Sequence, residues 1–162
     1  GPVKRVDTSD WPCPIARSAA VLGDHWNLLL IRQACLGTRR FDEFQSALEV
    51  PRAVLTARLR RLCDEGMLER VAYQDAPVRH EYRLTAKGRA FYDVLAAMWR
   101  FGNDWLWPDG ERPPLQLVDR DSGDPVVPRV VDETTGGPID VRRLRIKLAH
   151  PSQGRPAPPD PD

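Results

Sequence analysis

One stretch, Pro51–Gly88, limits the fold more than any other part of the chain: PRAVLTARLRRLCDEGMLERVAYQDAPVRHEYRLTAKG. Leu55, Leu59 and Leu62 recur at i, i+4 and i+7, the signature of one helix face packed inward. Ala53, Thr56, Ala57 and Arg60 then fall on the opposite, exposed face. The helix should run to Glu65, with Gly66 as its C′ residue. Residues 67–73 and 79–84 alternate apolar and polar as strands do, with the loop Gln74–Val78 between them. Thr85 caps a further helix. A cationic helix, a hairpin with a basic tip and another helix, in that order, form the pattern of a winged helix-turn-helix. The expected fold class is therefore mainly α with a small β wing.

Upstream, residues 13–23 (CPIARSAAVLG) predict a first helix, with Pro14 in its first turn and Gly23 as the stop. Ile15, Ala19 and Leu22 share one face. Asp24 can cap a second helix over residues 25–36, ending at Gly37. It is apolar over most of its girth and should be central to the core. A short third helix begins at Phe41, with Phe41, Phe44 and Leu48 inward. Val50-Pro51 is the turn into the fourth, because the residue before proline is pushed out of the helical region.

Downstream, the fifth helix is expected over about residues 86–106, with Phe91, Leu95, Met98, Trp99, Trp105 and Leu106 as its apolar set. That face is larger than one small domain needs, and a partner subunit is the candidate to cover it. Pro108, Pro113 and Pro114 mark a boundary. Beyond them, valine-rich segments around turn signals at 121–124 and 135–138 predict a small annex of two hairpins, with Val141 to Leu148 as a last alternating run. The expected division is 11–107 for the winged domain, 114–149 for the annex, and a disordered Pro-rich tail over 150–162.

The composition is that of a globular protein, 41% hydrophobic and 29% charged. No apolar run reaches the roughly 18 residues that a membrane helix needs, so no membrane partner is expected. No apolar h-region marks a signal peptide, and Gly1-Pro2 is expected to be a cleavage remnant. Cys13, Cys35 and Cys63 form no CxxC pair and are odd in number, which argues for a reducing, cytoplasmic setting. The net charge of +1 says little about nucleic acid. From Arg39 to Arg61, however, six arginines face three acids, and a ligand meets that local field rather than the total. There is no HExxH, no GxSxG and no glycine-rich phosphate loop, so neither an enzyme nor a cofactor is expected.

Arg52, Thr56 and Arg60 have the chemistry to read base edges in a major groove, because arginine binds guanine bidentately and threonine meets either edge or a thymine methyl. Arg39, Arg40 and Arg58 suit phosphates. Arg79 and His80, near the wing tip, suit the minor groove or the backbone. The plainer reading of each is a solvated charge, and His80 can equally be an ordinary strand residue. Trp99, Trp105 and Trp107 lie on or just after the last helix. They read either as core and dimer packing or as the walls of a pocket for a small aromatic effector. Cys35 and Cys63 read as inert packing.

Several segments in order resemble the HxlR family of bacterial transcriptional regulators. Cys13-Pro14 opens the first helix. GDHWNLLLIRQACLGTRRF (23–41) resembles the family's GGKW segment. VLTARLRRLCDEGMLER (54–70) resembles its recognition helix and strand entry, and PVRHEYRLTAKG (77–88) its wing return. The likeness spans about residues 11–107. It implies a homodimer on a pseudo-palindromic double-stranded operator, released or repositioned by a small-molecule or redox signal; the alternative is a ligand-binding or protein-interaction winged-helix protein that does not bind DNA. It also implies that Cys13, at the start of a helix, is a possible redox sensor, the bland alternative being a small packed interface residue. His25 stands where the family usually has lysine, so the lysine's phosphate contact is not expected there, although a neutral histidine can still donate a hydrogen bond. The annex resembles a zinc-ribbon extension found in some members. The ligand positions would be Asp119, Ser122, Asp132 and Thr135. None is histidine or cysteine, so no metal is expected.

Overall fold

The computed structural model describes residues 6–150, and the tail expected beyond residue 150 lies outside them. The chain forms two compact units that part between Ala90 and Phe91, inside the helix expected to close the winged domain.

In the first unit, α1 (Pro14–Leu22), α2 (His25–Cys35), α3 (Phe41–Leu48) and α4 (Arg52–Asp64) lead into β1 (Leu68–Asp75), β2 (Val78–Leu84) and the one-turn α5 (Ala86–Ala90). Local chemistry accounts for most boundaries. The Asp24 carboxylate accepts from the Trp26 backbone N–H at 2.9 Å, which satisfies one of the orphan donors at the start of α2. Gly37 and Gly66 leave α2 and α4 with φ of 101° and 72°. Between α3 and α4 the chain turns through Glu49, which takes a left-handed φ of 51°, and Pro51 stands just outside α4.

The core is built by α2, α3, α4 and the head of β1. Leu30, Ile31, Phe44, Leu55, Leu59 and Leu62 are wholly buried, each contributing about 1.5–3 kcal/mol of apolar burial. All three leucines expected on the inner face of α4 are among them. Ile15 of α1 is instead 80% exposed, so only the Leu22 end of the expected α1 face is covered.

The strands pair antiparallel from Leu68↔Leu84 to Asp75↔Val78, with a register shift at Tyr73. The wing turn is therefore Ala76-Pro77 alone, joined by a cis peptide bond, and is shorter than the expected Gln74–Val78 loop. The Tyr82 N–H donates to the Arg39 carbonyl at 2.7 Å, so the α2–α3 link lies along the outer edge of the wing. Thr85 Oγ1 accepts from the Gly88 N–H at 3.0 Å, as a helix cap should, and donates back to the Gly66 carbonyl at 2.5 Å. Gly88 is buried, and only glycine fits there, because a Cβ would lie 2.1 Å from the Met67 carbonyl oxygen.

The second unit begins with α6 (Tyr92–Trp105). The expected single helix is interrupted at Phe91, whose ψ of −14° falls short of the α-helical value. No residue of α6 is buried. The two expected hairpins reduce to isolated antiparallel bridges, Val118↔Pro125 and Val131↔Pro138. In each the partner is a proline, which has no N–H to extend the ladder. Each turn is held instead by an aspartate. Asp119 Oδ1 accepts from the N–H groups of Asp121 and Ser122, and Asp132 Oδ1 from Thr134. The run expected as a strand from Val141 contains a single 3-10 turn, Val141–Arg143, and is exposed throughout.

Candidate nucleic-acid interface

The exposed side of α4 carries Arg52, Ala53, Thr56, Ala57 and Arg60. Arg52, Thr56 and Arg60 follow one another at i, i+4 and i+8, a single exposed ridge roughly a quarter-turn around the helix from the buried leucines. The Arg52 guanidinium lies over the Phe41 ring at 5.0 Å, a cation–π contact that ties the start of α4 to α3. Thr56 Oγ1 donates to the Arg52 carbonyl at 3.0 Å. The Arg60 guanidinium has no ion-pair or hydrogen-bond partner among the described residues. With small residues between the arginines, the ridge can come close to a groove wall.

Arg39 and Arg40 leave the α2–α3 link beside the wing. The Arg40 guanidinium sits 4.6 Å from the Tyr73 ring centroid. The bulge at Tyr73 thus gives Arg40 a platform, and neither arginine is neutralised by an acid among the described residues. Arg79 is exposed next to the wing turn, paired in register with Gln74. His80 is half-buried opposite Ala72.

Arg58 is placed differently. Its Nη2 meets Asp24 Oδ2 at 3.0 Å, and that aspartate side chain is only 13% exposed. The carboxylate therefore caps α2 with one oxygen and holds α4 with the other. Arg61 is likewise paired with Glu65 at 3.0 Å. The arginines of α4 thus divide into Arg52 and Arg60, with no carboxylate partner among the described residues, and Arg58 and Arg61, each paired with a carboxylate. The Asp24–Arg58 pair spans 34 positions, and the Tyr73 platform depends on a strand bulge. Neither has a local pattern that reading the sequence could have caught.

Cys13 is the half-buried N-cap residue of α1. Burial pushes the Cys35 thiol up from its ordinary pKa, and burial followed by the neighbouring Asp64 does the same for Cys63. Among the described residues no three His, Cys, Asp or Glu side chains gather into a metal site. Of the three tryptophans near the last helix, Trp99 and Trp107 line one cavity of about 330 Å³, while Trp105 is 75% exposed and does not. No helix among the described residues is long and apolar enough to cross a membrane.

The family model described as HxlR-like helix-turn-helix matches residues 21–109. An uncharacterised HTH-type transcriptional regulator of Mycobacterium bovis, Mb3122, is 35% identical over 130 residues, covering 80% of this chain and 82% of its own length. The crystal structure of PA1607, a proposed transcription factor, superposes with a TM-score of 0.80 at 37% identity. It covers 88% of this chain and 99% of its own, so the likeness extends past the winged unit. The redox regulator HypR in its reduced form gives a TM-score of 0.54 at 29% identity, over 57% of this chain and 92% of its own. The winged helix-turn-helix architecture, the unpaired arginine ridge on α4 and these likenesses agree, and the chain belongs to the HxlR-like helix-turn-helix family of DNA-binding transcriptional regulators.

Proposed function

We propose that the protein acts as a homodimer on a pseudo-palindromic stretch of double-stranded DNA, each subunit laying α4 in a major groove and its wing along the adjacent backbone. The observation that carries this reading is the ridge of Arg52, Thr56 and Arg60. It is exposed, four residues apart at each step, on a helix anchored in the core by three fully buried leucines. Arg39, Arg40 and Arg79 supply phosphate contacts from the wing side, and His80 lies behind Arg79 on the same strand. Arg58 acts as a brace through Asp24 rather than as a leading contact.

The dimer reading rests on α6. Val94, Met98, Phe101 and Trp105 are exposed at i, i+4, i+7 and i+11, an apolar stripe that one chain leaves in water. A second copy of the stripe is self-complementary, as a two-fold interface requires. Ile15 gives α1 an apolar residue for the same use. The operator affinity then responds to a signal, either a small molecule held beside α6 or an oxidant acting at Cys13. The occurrence of a redox regulator among the structural neighbours supports the second route.

The test is a gel shift on DNA from the protein's own promoter region at two salt concentrations, with and without diamide. Binding should weaken steeply with salt as counterions are released. Arg52→Ala with Arg60→Ala should cost about 1–3 kcal/mol per lost base contact and abolish specific binding, with the dimer intact by light scattering. Unchanged affinity in that double variant removes both residues from the readout. Diamide release that persists in Cys13→Ser removes Cys13 as the sensor.

A further inference from the structure

The 330 Å³ cavity of the second unit is walled by Met98, Trp99 and Asn103 of α6 and by Trp107, Pro113 and Leu115 of the following segment. Its size is at the lower end of the range for small-molecule sites, about 300–1,000 Å³. Two indole rings, a thioether and two nonpolar chains make the walls apolar, and Asn103 is the one side chain there with hydrogen-bonding groups beyond the indole N–H.

Gly102 supplies an independent observation. It stands inside α6, where glycine is less favourable than alanine. A close backbone approach would explain it, as it does for Gly88, but a Cβ at Gly102 would meet only the Leu106 Cδ1, at 4.0 Å. The glycine leaves open space on the cavity wall, and no neighbour among the described residues uses that space.

A second depression, of about 620 Å³, adjoins the first and shares Trp99, Asn103, Pro113 and Leu115 with it. It adds Arg100, Asp104 and Arg112. Arg100 is already engaged, to Asp104 at 2.7 Å and to the Pro128 carbonyl at 3.1 Å. Arg112 has no partner among the described residues. An apolar, indole-walled slot thus opens onto an uncompensated guanidinium.

We propose that this cavity binds a small planar aromatic carboxylate, with its ring between Trp99 and Trp107 over Gly102 and its carboxylate directed to Arg112. The proposal deepens the effector reading above, and it depends on that reading only for its consequence at DNA, because binding is measured on the protein alone. Met98 belongs both to the cavity wall and to the exposed stripe of α6, so an occupied cavity bears on the surface proposed for the second subunit.

The experiment titrates the full chain with 2-naphthoate and with its uncharged analogue 2-naphthamide by calorimetry. Alongside, the indole N–H resonances of the five tryptophans are followed by NMR. Naphthoate should bind and shift the Trp99 and Trp107 signals, leaving Trp11 and Trp26 in place. Gly102→Leu should abolish binding without lowering the melting temperature or changing the oligomeric state. Arg112→Gln should weaken naphthoate about fivefold, the worth of an exposed charge pair, and leave naphthamide unchanged. Failure of naphthoate to bind at millimolar concentration, or undiminished binding by Gly102→Leu, overturns the site. Naphthamide binding as tightly as naphthoate overturns the acid class. Dissociation of the Gly102→Leu dimer assigns the cavity to the subunit interface instead and also overturns the proposal. An operator shift that persists alongside any of these failures leaves the DNA-binding reading standing.

Discussion

Asp24 joins two helices through one carboxylate, and the two contributions can be separated by substitution. Its Oδ1 accepts from Trp26 N–H at 2.9 Å, a cap whose removal costs typically about 1 kcal/mol. Its Oδ2 meets Arg58 Nη2 at 3.0 Å. A hydrogen bond between charged groups contributes about 1.5–3 kcal/mol when well shielded. The Arg58 side chain is 36% exposed, so solvent screening brings the pair to about 1 kcal/mol. Asp24→Asn keeps a side-chain acceptor for the cap and loses the charge, so it should destabilise by about 1 kcal/mol. Asp24→Ala loses both and should cost about 2 kcal/mol. At about 2–4 °C per kcal/mol for a chain of this size, the melting temperature falls by about 3 °C and about 6 °C respectively. Urea unfolding followed by tryptophan fluorescence measures both. Equal losses in the two variants would show that the cap and the ion pair are not separable contributions. No loss in Asp24→Ala would refute the reasoning altogether. The same variants report on DNA. Releasing Arg58 from Asp24 adds an unpaired cation to α4, so Asp24→Asn should tighten non-specific binding at low salt. Unchanged binding would mean that Arg58 already leaves Asp24 when DNA is bound.

Gly88→Ala places a methyl carbon 2.1 Å from the Met67 carbonyl oxygen, a backbone atom that cannot swing away. It should destabilise by more than about 3 kcal/mol, like other severe core strain, and DNA binding should fall with the folded fraction in circular dichroism. Burial raises the pKa of the Cys35 and Cys63 thiols, so less thiolate is present at a given pH than for a free thiol. Their alkylation by iodoacetamide should therefore lag behind that of free cysteine at pH 7.5 and catch up only as the pH rises through the raised values. Mass spectrometry of the native protein over a pH series checks this, and full labelling of both at pH 7 within the half-time of free cysteine would contradict it.

Periodicity and caps are local, and what they encode is legible in the order of the residues. The leucines 55, 59 and 62 can be buried together only on a helix, and the free face left to Arg52, Thr56 and Arg60 follows from the same 3.6-residue repeat. Asp24, Gly37, Gly66 and Thr85 stop or start elements through hydrogen bonds or φ values that involve their own neighbours. In the annex the same local reading misleads. Alternating valines fit a strand, but a ladder needs partner N–H groups, and at 125 and 138 the partners are prolines. The order helix, hairpin, helix is therefore encoded in the chain, and with it the fold class.

Only the tertiary structure decided which charges remain open. Arg58 and Arg60 are two residues apart and alike in sequence, yet one is met by Asp24 and the other by nothing among the described residues. Arg40 gains its aromatic platform because a bulge brings Tyr73 under it, and Gly88 is required because α5 comes down on the Met67 carbonyl. Each of these depends on groups brought together by folding from distant points of the chain. Coulomb and contact forces act through space over a few ångströms, so residues far apart in sequence carry no shared local pattern to announce that they will meet.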